Sequence, residues 1–360
     1  MKSNKHHYGL VLAGGRGTRF WPRSRTKTPK QLLSFLSDQT LIVETVERLR
    51  ALIPPERIWV LTSELLRPEI RKQLKDVPAH QILAEPCQRN TAPCLGLAAQ
   101  IIAEQDPDAV LGVFPADHHI GKPARFRHWI KGAFKAAEQG NLATIGIFPR
   151  WAETGYGWLE LPKGTKAGTA TPVKVKRFRE KPDQPTANKF LKAGNFYWNG
   201  GIFCWRAGVF LNEMRQHLPK TAALLAALPS FHDKRFAKRL AETYPLCENI
   251  SVDYAVLEKS KKVVAMATDD FGWNDLGSWN AVYELMPRDA SAHAGRTPFI
   301  AEESTGCYVE APGKLVALVG VDDLVIVDTP GALLVARRSQ SQAVGNLVKR
   351  LEKLGKTDLL

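Results

Sequence analysis

Short apolar runs alternate with amphipathic stretches in the N-terminal part of the chain. The apolar runs have the length and composition of strands buried on both faces, and the amphipathic stretches carry apolar residues at helical spacing. The predicted strands are residues 9–13, 57–62, 109–114 and 142–147, and the predicted helices are residues 41–52, 91–104 and 129–139. This alternation predicts an α/β fold with a Rossmann-like mixed, mostly parallel sheet flanked by helices.

The middle of the chain has a different pattern. Residues 155–160, 173–180 and 201–205 are short strand-like stretches between turns rich in proline, glycine and threonine. They predict an antiparallel insertion or a lid laid over the main sheet. Helical spacing returns afterwards, and it predicts helices at residues 209–217, 221–228 and 252–259.

The C-terminal part is rich in valine, glycine and aspartate. Its short apolar pieces, residues 315–319, 324–327 and 332–335, predict a small β-structure of stacked strands resembling a short left-handed β-helix. Residues 341–354 then predict an amphipathic terminal helix. We therefore expect two domains, residues 1–287 and residues 288–360, the second being β-rich with a closing helix.

Composition narrows the protein class only in part. An apolar stretch at residues 8–15 is too short for a secretory signal, and no later stretch is long enough to span a membrane, so we expect a cytoplasmic protein without a membrane partner. The five cysteines are scattered, lack a CxxC pair, and predict free thiols rather than a zinc site or disulfides.

The formal net charge of +14 has several possible origins. Basic residues are spread along the chain without a long lysine or arginine run, so we expect no specific nucleic-acid partner. A substrate with several phosphates, or general basicity without a specific role, accounts for the charge equally well.

Residues 12–19, LAGGRGTR, follow the first predicted strand and form a candidate anion-binding loop. Glycines let backbone N–H groups approach an anion closely, and the planar guanidinium of Arg19 suits phosphate oxygens. The loop is neither GxxxxGK[ST] nor GxGxxG, because Phe20 stands where the third glycine would be. By itself, such a loop is equally compatible with a simple tight turn.

The continuation of this loop decides between an anion site and a simple turn. The string GGRGTRFWPRSR…PKQ, residues 14–31, resembles the signature of sugar-1-phosphate nucleotidylyltransferases, and its FWPxSR and PKQ parts resemble the mannose-1-phosphate guanylyltransferase branch. Further motifs follow in family order: EPCQRNTAP at 85–93, PADH at 115–118, FREKP at 178–182, NGGIF at 199–203 and WNDLGSW at 273–279. Longer relatives carry a further phosphomannose isomerase domain, and the resemblance does not imply isomerase activity for this chain.

The resemblance implies an enzyme that converts GTP and mannose-1-phosphate to GDP-mannose and pyrophosphate with Mg²⁺ as cofactor. The sugar phosphate attacks the α-phosphate and is already anionic, so the site must supply alignment and charge rather than a strong base. The implied catalytic residues are Arg19, Lys30, Asp117 and Asp275. Asp117 and Asp275 are the implied magnesium ligands, whereas His118 and His119 are interpreted as structural.

The resemblance also assigns binding residues. The implied nucleotide-binding residues are Leu12, Ala13, Gly14, Gly15, Gly17, Thr18, Arg19, Glu85, Asn90, Thr91 and Asp117. A carboxylate such as Glu85 accepts hydrogen bonds from a purine's amine and ring N–H, which favours guanine. The implied sugar-phosphate residues are Gly157, Glu180, Lys181 and Asn199.

Two alternatives stay open at the level of sequence. The first is an enzyme of the same class that uses another sugar-1-phosphate or another nucleotide. The second is a catalytically silent relative that binds nucleotide-sugars. The presence of all four implied catalytic residues disfavours the silent relative. A face of the terminal β-structure or helix is a candidate contact for a homodimer.

Overall fold

A computed structural model describes residues 4–360. The strands, numbered in chain order, are β1 His7–Leu12, β2 Ile58–Ser63, β3 Ile82–Glu85, β4 Val110–Pro115, β5 His119–Ile120, β6 Leu142–Ile147, β7 Trp158–Glu160, β8 Val173–Lys174, β9 Arg177–Arg179, β10 Phe196–Arg206, β11 Val263–Ala267, β12 Trp273–Asn274, β13 Ala294–Gly295, β14 Phe299–Glu302, β15 Tyr308–Glu310, β16 Val316–Val319, β17 Leu324–Thr329 and β18 Ala332–Arg337. The helices are α1 Leu41–Arg50, α2 Arg67–Gln73, α3 Thr91–Gln105, α4 Pro123–Glu138, α5 Gln184–Ala193, α6 Ala207–His217, α7 Pro219–Ala226, α8 Phe236–Thr243, α9 Trp279–Leu285 and α10 Val344–Lys353.

The chain forms two compact units. The first contains the residues up to Gly14 together with Thr45–Pro115 and Ile120–Trp273. Its ten-stranded sheet has the order β3-β2-β1-β4-β10-β6-β11-β8, with β7 paired to β10 and β9 paired to β7. Pairs β3–β2, β2–β1, β1–β4 and β6–β11 are parallel, while β10 runs antiparallel to β4, β6 and β7. This arrangement confirms the predicted mixed sheet.

Helices cover both faces of this sheet. In β4, Leu111 and Val113 join the apolar cluster that includes α3 and α6, whereas a side chain at Gly112 would point at Phe134 of α4. Successive strand residues face opposite sides, so α4 and α3 lie on opposite faces. Helix α4 begins six residues before its predicted start, at Pro123, because proline is well accepted at the first helical position.

The middle strands fit the predicted antiparallel insertion and not the alternative of a lid over the sheet. Strand β10 is a single strand of eleven residues and lies inside the main sheet between β4 and β6. The predicted piece at residues 201–205 is only its second half. A change of register between Asn199 and Phe203 bends the strand, and this bulge interrupts the alternating pattern along the sequence. The strands are antiparallel as predicted, but they extend the sheet rather than lie over it.

The second unit contains Gly15–Glu44, Ala116–His119 and Asn274–Leu360. In its core, Trp279 packs edge to face against Phe20 and Phe35, whose rings are tilted against each other, and the Trp279 indole donates a hydrogen bond to the Trp21 carbonyl at 3.1 Å. Since Phe20 follows the glycine-rich loop directly, this aromatic cluster anchors the loop's C-terminal side. The terminal helix α10 buries Val344 and Val348 on one face, as the amphipathic pattern predicts.

The C-terminal strands stack as short coils. Strands β13, β15 and β17 pair in parallel, β14 pairs in parallel with β16, and β18 closes the edge antiparallel to β17. Repeated parallel pairing of short strands is β-helix-like and confirms the predicted stacking. The predicted boundary between residues 287 and 288 stays a prediction, because each compact unit consists of several separate segments of the chain.

Two further expectations concern helices and thiols. Between residues 4 and 360, no helix is both long and apolar enough to cross a lipid bilayer. All five cysteines are free, as expected from their spacing.

The predicted helix at 252–259 is instead a single π-helical turn, Asp253–Leu257, and this difference bears on the candidate site.

Candidate active site

The N-terminal half of the glycine-rich loop leaves the sheet beside β2. Ala13 is buried, its N–H donates to the Leu61 carbonyl at 2.8 Å, and its own carbonyl accepts from the Thr62 hydroxyl at 3.1 Å. The backbone of Ala13 therefore holds the loop to β2. Gly14 is the first residue beyond this anchor, and its carbonyl accepts from the Gln88 amide at 3.0 Å.

Glu85 stands at the end of β3 and faces this loop. A Cβ placed at Gly14 would lie 3.9 Å from Glu85 Oε1, and the Tyr244 hydroxyl donates to the other oxygen, Oε2, at 2.5 Å. Burial raises the pKa of Glu85 above its usual range, while hydrogen bonds from Tyr244 and Cys94 oppose that rise. The structure thus places Glu85 beside Gly14.

Asn90 and Thr91 have structural bonds at the start of α3. Asn90 adopts a positive φ of 63° and its side-chain carbonyl accepts from the Thr91 N–H at 2.9 Å, which caps the helix. The Thr91 hydroxyl accepts from the Val252 N–H at 2.9 Å. These bonds fix the segment after Glu85.

The four implied sugar-phosphate residues meet at one place in the first unit. The Asn199 N–H donates to the Gly157 carbonyl at 2.7 Å, and a Cβ at Gly157 would collide with Glu180 Oε2. Lys181 adopts a positive φ of 42°, and its ammonium lies 3.2 Å from Glu180 Oε1. Glycine at this position permits the close approach, because any larger residue would displace the Glu180 carboxylate.

Glu180 has an unsatisfied oxygen. The residue is only 9 % exposed, and its Oε2 has no hydrogen-bond partner in the part of the chain that the structure describes. Burial is the main cause that raises the pKa of Glu180, and Lys181 opposes the rise. A buried, unpaired carboxylate oxygen is costly, and a polyhydroxyl ligand is a chemically suitable partner for it.

Asp253 belongs to the same group and was missed at the level of sequence. Its Oδ1 accepts from Asn199 Nδ2 at 3.1 Å, while Asn199 Oδ1 accepts from the Thr144 hydroxyl at 2.9 Å. Burial and the neighbouring Glu180 charge raise the pKa of Asp253 to about 7. The π-helical turn that starts at Asp253 cannot be distinguished from an α-helix by apolar spacing, so the sequence carried no signal for it.

Lys30 is the centre of the site in the second unit. Its ammonium lies 2.9 Å from Asp117 Oδ2 and also donates to the Asp275 main-chain carbonyl. The Lys30 side chain is 7 % exposed, whereas that of Asp117 is 37 % exposed. Three residues that are far apart in sequence are thereby brought together around one buried cation.

The electrostatics of Asp117 follow from this contact. Burial alone would raise the pKa of Asp117, but the charges of Lys30 and His118 and the lysine hydrogen bond hold it below its usual range. Asp117 therefore remains ionised at neutral pH. No group of three or more histidine, cysteine, aspartate or glutamate side chains within residues 4–360 has metal-binding geometry.

The Arg19 guanidinium and the Asp275 carboxylate both lie close to Gly277. A Cβ at Gly277 would lie 3.0 Å from Asp275 Oδ2 and 3.5 Å from the Arg19 guanidinium. The Arg19 guanidinium also donates to Gln342 at 2.6 Å, and Arg16 forms an ion pair with Glu352 at 2.7 Å. Both arginines of the loop are thus fixed by the C-terminal segment of the second unit.

Gly17 shapes the C-terminal half of the loop. Its φ is 59°, a left-handed conformation, and a Cβ at this position would collide with Lys30 Cβ. Glycine is required for both reasons. A Cβ at Gly15 would meet nothing within 4 Å, so the backbone at Gly15 is open to a ligand. Thr18 begins a short 3-10 helix that ends at Phe20.

Comparison with known proteins assigns the family. The model of the Nucleotidyl transferase family matches residues 8–292, and the MannoseP isomerase/GMP-like beta-helix domain matches residues 299–351. The chain belongs to the nucleotidyl transferase family. The second match agrees with the β-helix-like stacking of the C-terminal strands.

Curated relatives and a solved structure resemble this nucleotidyl transferase over nearly its full length. An Escherichia coli mannose-1-phosphate guanylyltransferase is 35% identical over 97% of this chain and 76% of its own length. The Pseudomonas aeruginosa alginate biosynthesis protein AlgA is 34% identical over 97% of this chain and 73% of its own length. The crystal structure of mannose-1-phosphate geranyltransferase from Thermus thermophilus matches with a TM-score of 0.85 and 31% identity, covering 96% of this chain and 99% of that chain.

Proposed function

We propose that this nucleotidyl transferase converts GTP and mannose-1-phosphate to GDP-mannose and pyrophosphate. A phosphate oxygen of the sugar attacks the α-phosphorus of GTP, a new P–O bond forms, and the bond from the α-phosphorus to the bridging oxygen of the pyrophosphate breaks. The observation that carries the proposal is the buried Lys30 ammonium with Asp117 at 2.9 Å and the Asp275 carbonyl beside it. The names of the relatives supply the guanine and mannose assignments.

Charge neutralisation is the main task of this site. The attacking phosphate is already anionic, so the reaction needs positive charge on the triphosphate more than it needs a general base. Lys30 and Arg19 supply that charge in the proposal, and Gly15, Gly17 and Thr18 supply loop backbone for the phosphates. The glycines suit this role because their backbone is open or left-handed.

Asp117 and Asp275 would hold a magnesium ion. Their carboxylates are hard oxygen donors, and Mg²⁺ is usually held by few carboxylates together with waters and substrate phosphates. When bound, the ion would neutralise charge on the phosphates. The lowered pKa of Asp117 fits this role, since a ligand carboxylate has to be ionised.

The base and the sugar have separate groups of residues. Glu85 would accept hydrogen bonds from guanine, next to the loop residues Leu12, Ala13 and Gly14, and Asn90 and Thr91 would complete this end. The orphaned oxygen of Glu180 would accept from a sugar hydroxyl, beside Asn199 and Gly157. Lys181 would bind the sugar phosphate, which requires it to exchange its Glu180 partner.

The remaining parts of the proposal concern organisation. Residues 1–287 are assigned as the catalytic domain and residues 288–360 as the β-rich domain with its closing helix. The cytoplasm is the proposed location. A homodimer contact is assigned to the β-rich domain, whose Leu315, Val319 and Leu333 are all more than half exposed.

A substrate panel tests the proposal. GTP, ATP, UTP and dTTP are each combined with mannose-1-phosphate, glucose-1-phosphate and another hexose-1-phosphate, and pyrophosphate release is followed. Turnover limited to GTP with mannose-1-phosphate supports the assignment. Turnover only with a different pair would support the nucleotidylyl transfer reaction but reject GTP and mannose-1-phosphate as the substrates. Binding without turnover would support a catalytically silent relative.

A further inference from the structure

The segment from Tyr244 to Val252 is tied to the segment from Glu85 to Ala92 by several hydrogen bonds. The Tyr244 hydroxyl donates to Glu85, Arg89 donates to the Pro245 carbonyl, and the Ala92 N–H donates to the Ile250 carbonyl at 3.2 Å. The bond from Val252 to Thr91 adds a fourth connection. Three of these four bonds fix the backbone, whereas the bond from Tyr244 acts on a side chain with a candidate ligand role.

We propose that Tyr244 is a positioning residue for nucleotide selection, which holds the Glu85 carboxylate so that its second oxygen faces the base. This inference rests on the proposed function, because it takes guanine as the partner of Glu85. The role is distinct from substrate contact, since the Tyr244 side chain is fully buried.

The geometry around Glu85 divides its two oxygens. Oε2 accepts the Tyr244 hydroxyl at 2.5 Å, whereas Oε1 lies on the side of Gly14, 3.9 Å from where a Cβ would stand. The Tyr244 hydroxyl therefore holds Oε2, while Oε1 faces the loop. A carboxylate that is anchored through one oxygen loses less conformational freedom when it binds a ligand.

The Tyr244 hydroxyl also influences whether the Glu85 carboxyl group acts as a hydrogen-bond acceptor or donor toward a base. Guanine presents two donors, its ring N1–H and its 2-amino group, so it needs an acceptor-only partner. A protonated Glu85 would present a donor instead. Burial raises the pKa of Glu85, and the donated bond from Tyr244 works against that rise, with Cys94 as the other titratable group bonded to the carboxylate. Removing the phenol hydroxyl would weaken the acceptor at neutral pH.

Tyr244→Phe isolates this bond. Phenylalanine keeps the ring that fills the core and removes only the donor. Tyr308→Phe is a matched control, because Tyr308 is equally buried and donates to the Glu310 carboxylate at 2.7 Å in the C-terminal strand β15. Any general effect of removing a buried tyrosine–carboxylate bond should affect both variants.

The kinetic test compares GTP with ITP, which lacks the 2-amino group, and with ATP, at saturating sugar phosphate. We expect Tyr244→Phe to raise KM for GTP by about 10-fold, as befits one hydrogen bond to a charged group, with kcat changed less than about 2-fold. The preference for GTP over ITP should fall, and the KM effect should grow as the pH is lowered. Tyr308→Phe should leave these ratios unchanged. Equal GTP kinetics and selectivity in Tyr244→Phe and the wild type would refute the role.

A double variant and a direct titration separate this inference from the substrate assignment. In a Glu85→Gln background, Tyr244→Phe should have no further effect on KM for GTP, and a full additive effect would refute positioning. In ligand-free protein, NMR of ¹³C-labelled glutamate, assigned with Glu85→Gln, should show a higher pKa of Glu85 in Tyr244→Phe. An unchanged pKa there rejects the inference even if the enzyme proves to use another nucleotide. Absence of any turnover with GTP by the wild type would instead reject the proposed function.

Discussion

The ammonium of Lys30 lies 2.9 Å from Asp117 Oδ2 and donates at the same time to the main-chain carbonyl of Asp275. The lysine is almost fully buried, so its charge is compensated by the two aspartate segments rather than by water. An incoming triphosphate and a cation would compete for the same groups. The chemistry of the site is therefore expected to depend on Lys30 more than on any surface lysine.

Lys30→Ala should reduce kcat by roughly 100-fold or more, because it removes a preorganised charge near the reacting phosphates. Steady-state kinetics of pyrophosphate release measure this effect. Lys122→Ala is the matched control, since Lys122 also pairs with an aspartate, Asp270 at 2.6 Å, but is exposed. A Lys30→Ala enzyme that keeps wild-type turnover would remove Lys30 from the site.

Asp117→Asn and Asp275→Asn should each abolish most turnover while the fold is retained. The substitutions keep the shape of the side chain and remove the charge that a magnesium ligand needs. Activity titrated against magnesium concentration, with circular dichroism as the fold check, tests this. Asp270→Asn, at an exposed ion pair, is the control. Near-normal rates in either of the first two variants would argue against the metal assignment.

Gly157→Ala should raise KM for the sugar phosphate by about 10-fold or more while KM for the nucleotide changes little. The added methyl would collide with Glu180 Oε2 and approach Asn199 Cβ to 3.2 Å, so the carboxylate would be displaced. Gly208→Ala provides the control, because a Cβ there meets nothing within 4 Å and lies in helix α6. Equal sugar-phosphate kinetics in the two alanine variants would show that the close packing at Gly157 is unimportant.

Asp253 should make the protein less stable as the pH rises through neutrality. Its pKa is about 7 in the folded protein, above the ordinary value of 3.8, so its stability contribution is complete below about pH 4 and is lost as the pH rises through 7. Asp253→Asn removes this ionisation. We expect the free energy of unfolding of the variant minus that of the wild type to be about 2 kcal/mol larger at pH 8 than at pH 5, because only the wild type loses stability over this range.

Urea unfolding at the two pH values measures the difference. Glu180→Gln is an informative companion, because removing the neighbouring charge should lower the pKa of Asp253 and reduce the pH dependence. A difference between wild type and Asp253→Asn that is the same at pH 5 and pH 8 would show that Asp253 does not titrate between them.

Much of the sheet could be predicted from the sequence, for a physical reason. Strands such as β1 and β4 are buried on both faces and therefore form continuous apolar runs with clear ends. Strand β10 was predicted only in part. Its bulge and its glycines after Asn199 break the pattern, although the backbone continues as one strand.

In the candidate site, some residues can be identified from sequence motifs and others cannot be identified from the sequence at all. Lys30, Asp117 and Asp275 were named through motif resemblance, because no spacing rule relates residues that lie far apart in sequence. Asp253 and Tyr244 were not named at all. Each lies in a segment whose apolar pattern indicates only helix or core, and their importance comes from hydrogen bonds to distant side chains, Asn199 and Glu85.

The most direct test of the proposed reaction is a measurement of pyrophosphate release by the purified protein with GTP and mannose-1-phosphate, with and without magnesium. We predict magnesium-dependent turnover, formation of GDP-mannose in equal amount, and little activity when ATP replaces GTP. Absence of turnover with this pair, in protein that is folded and supplied with magnesium, would contradict the proposed reaction.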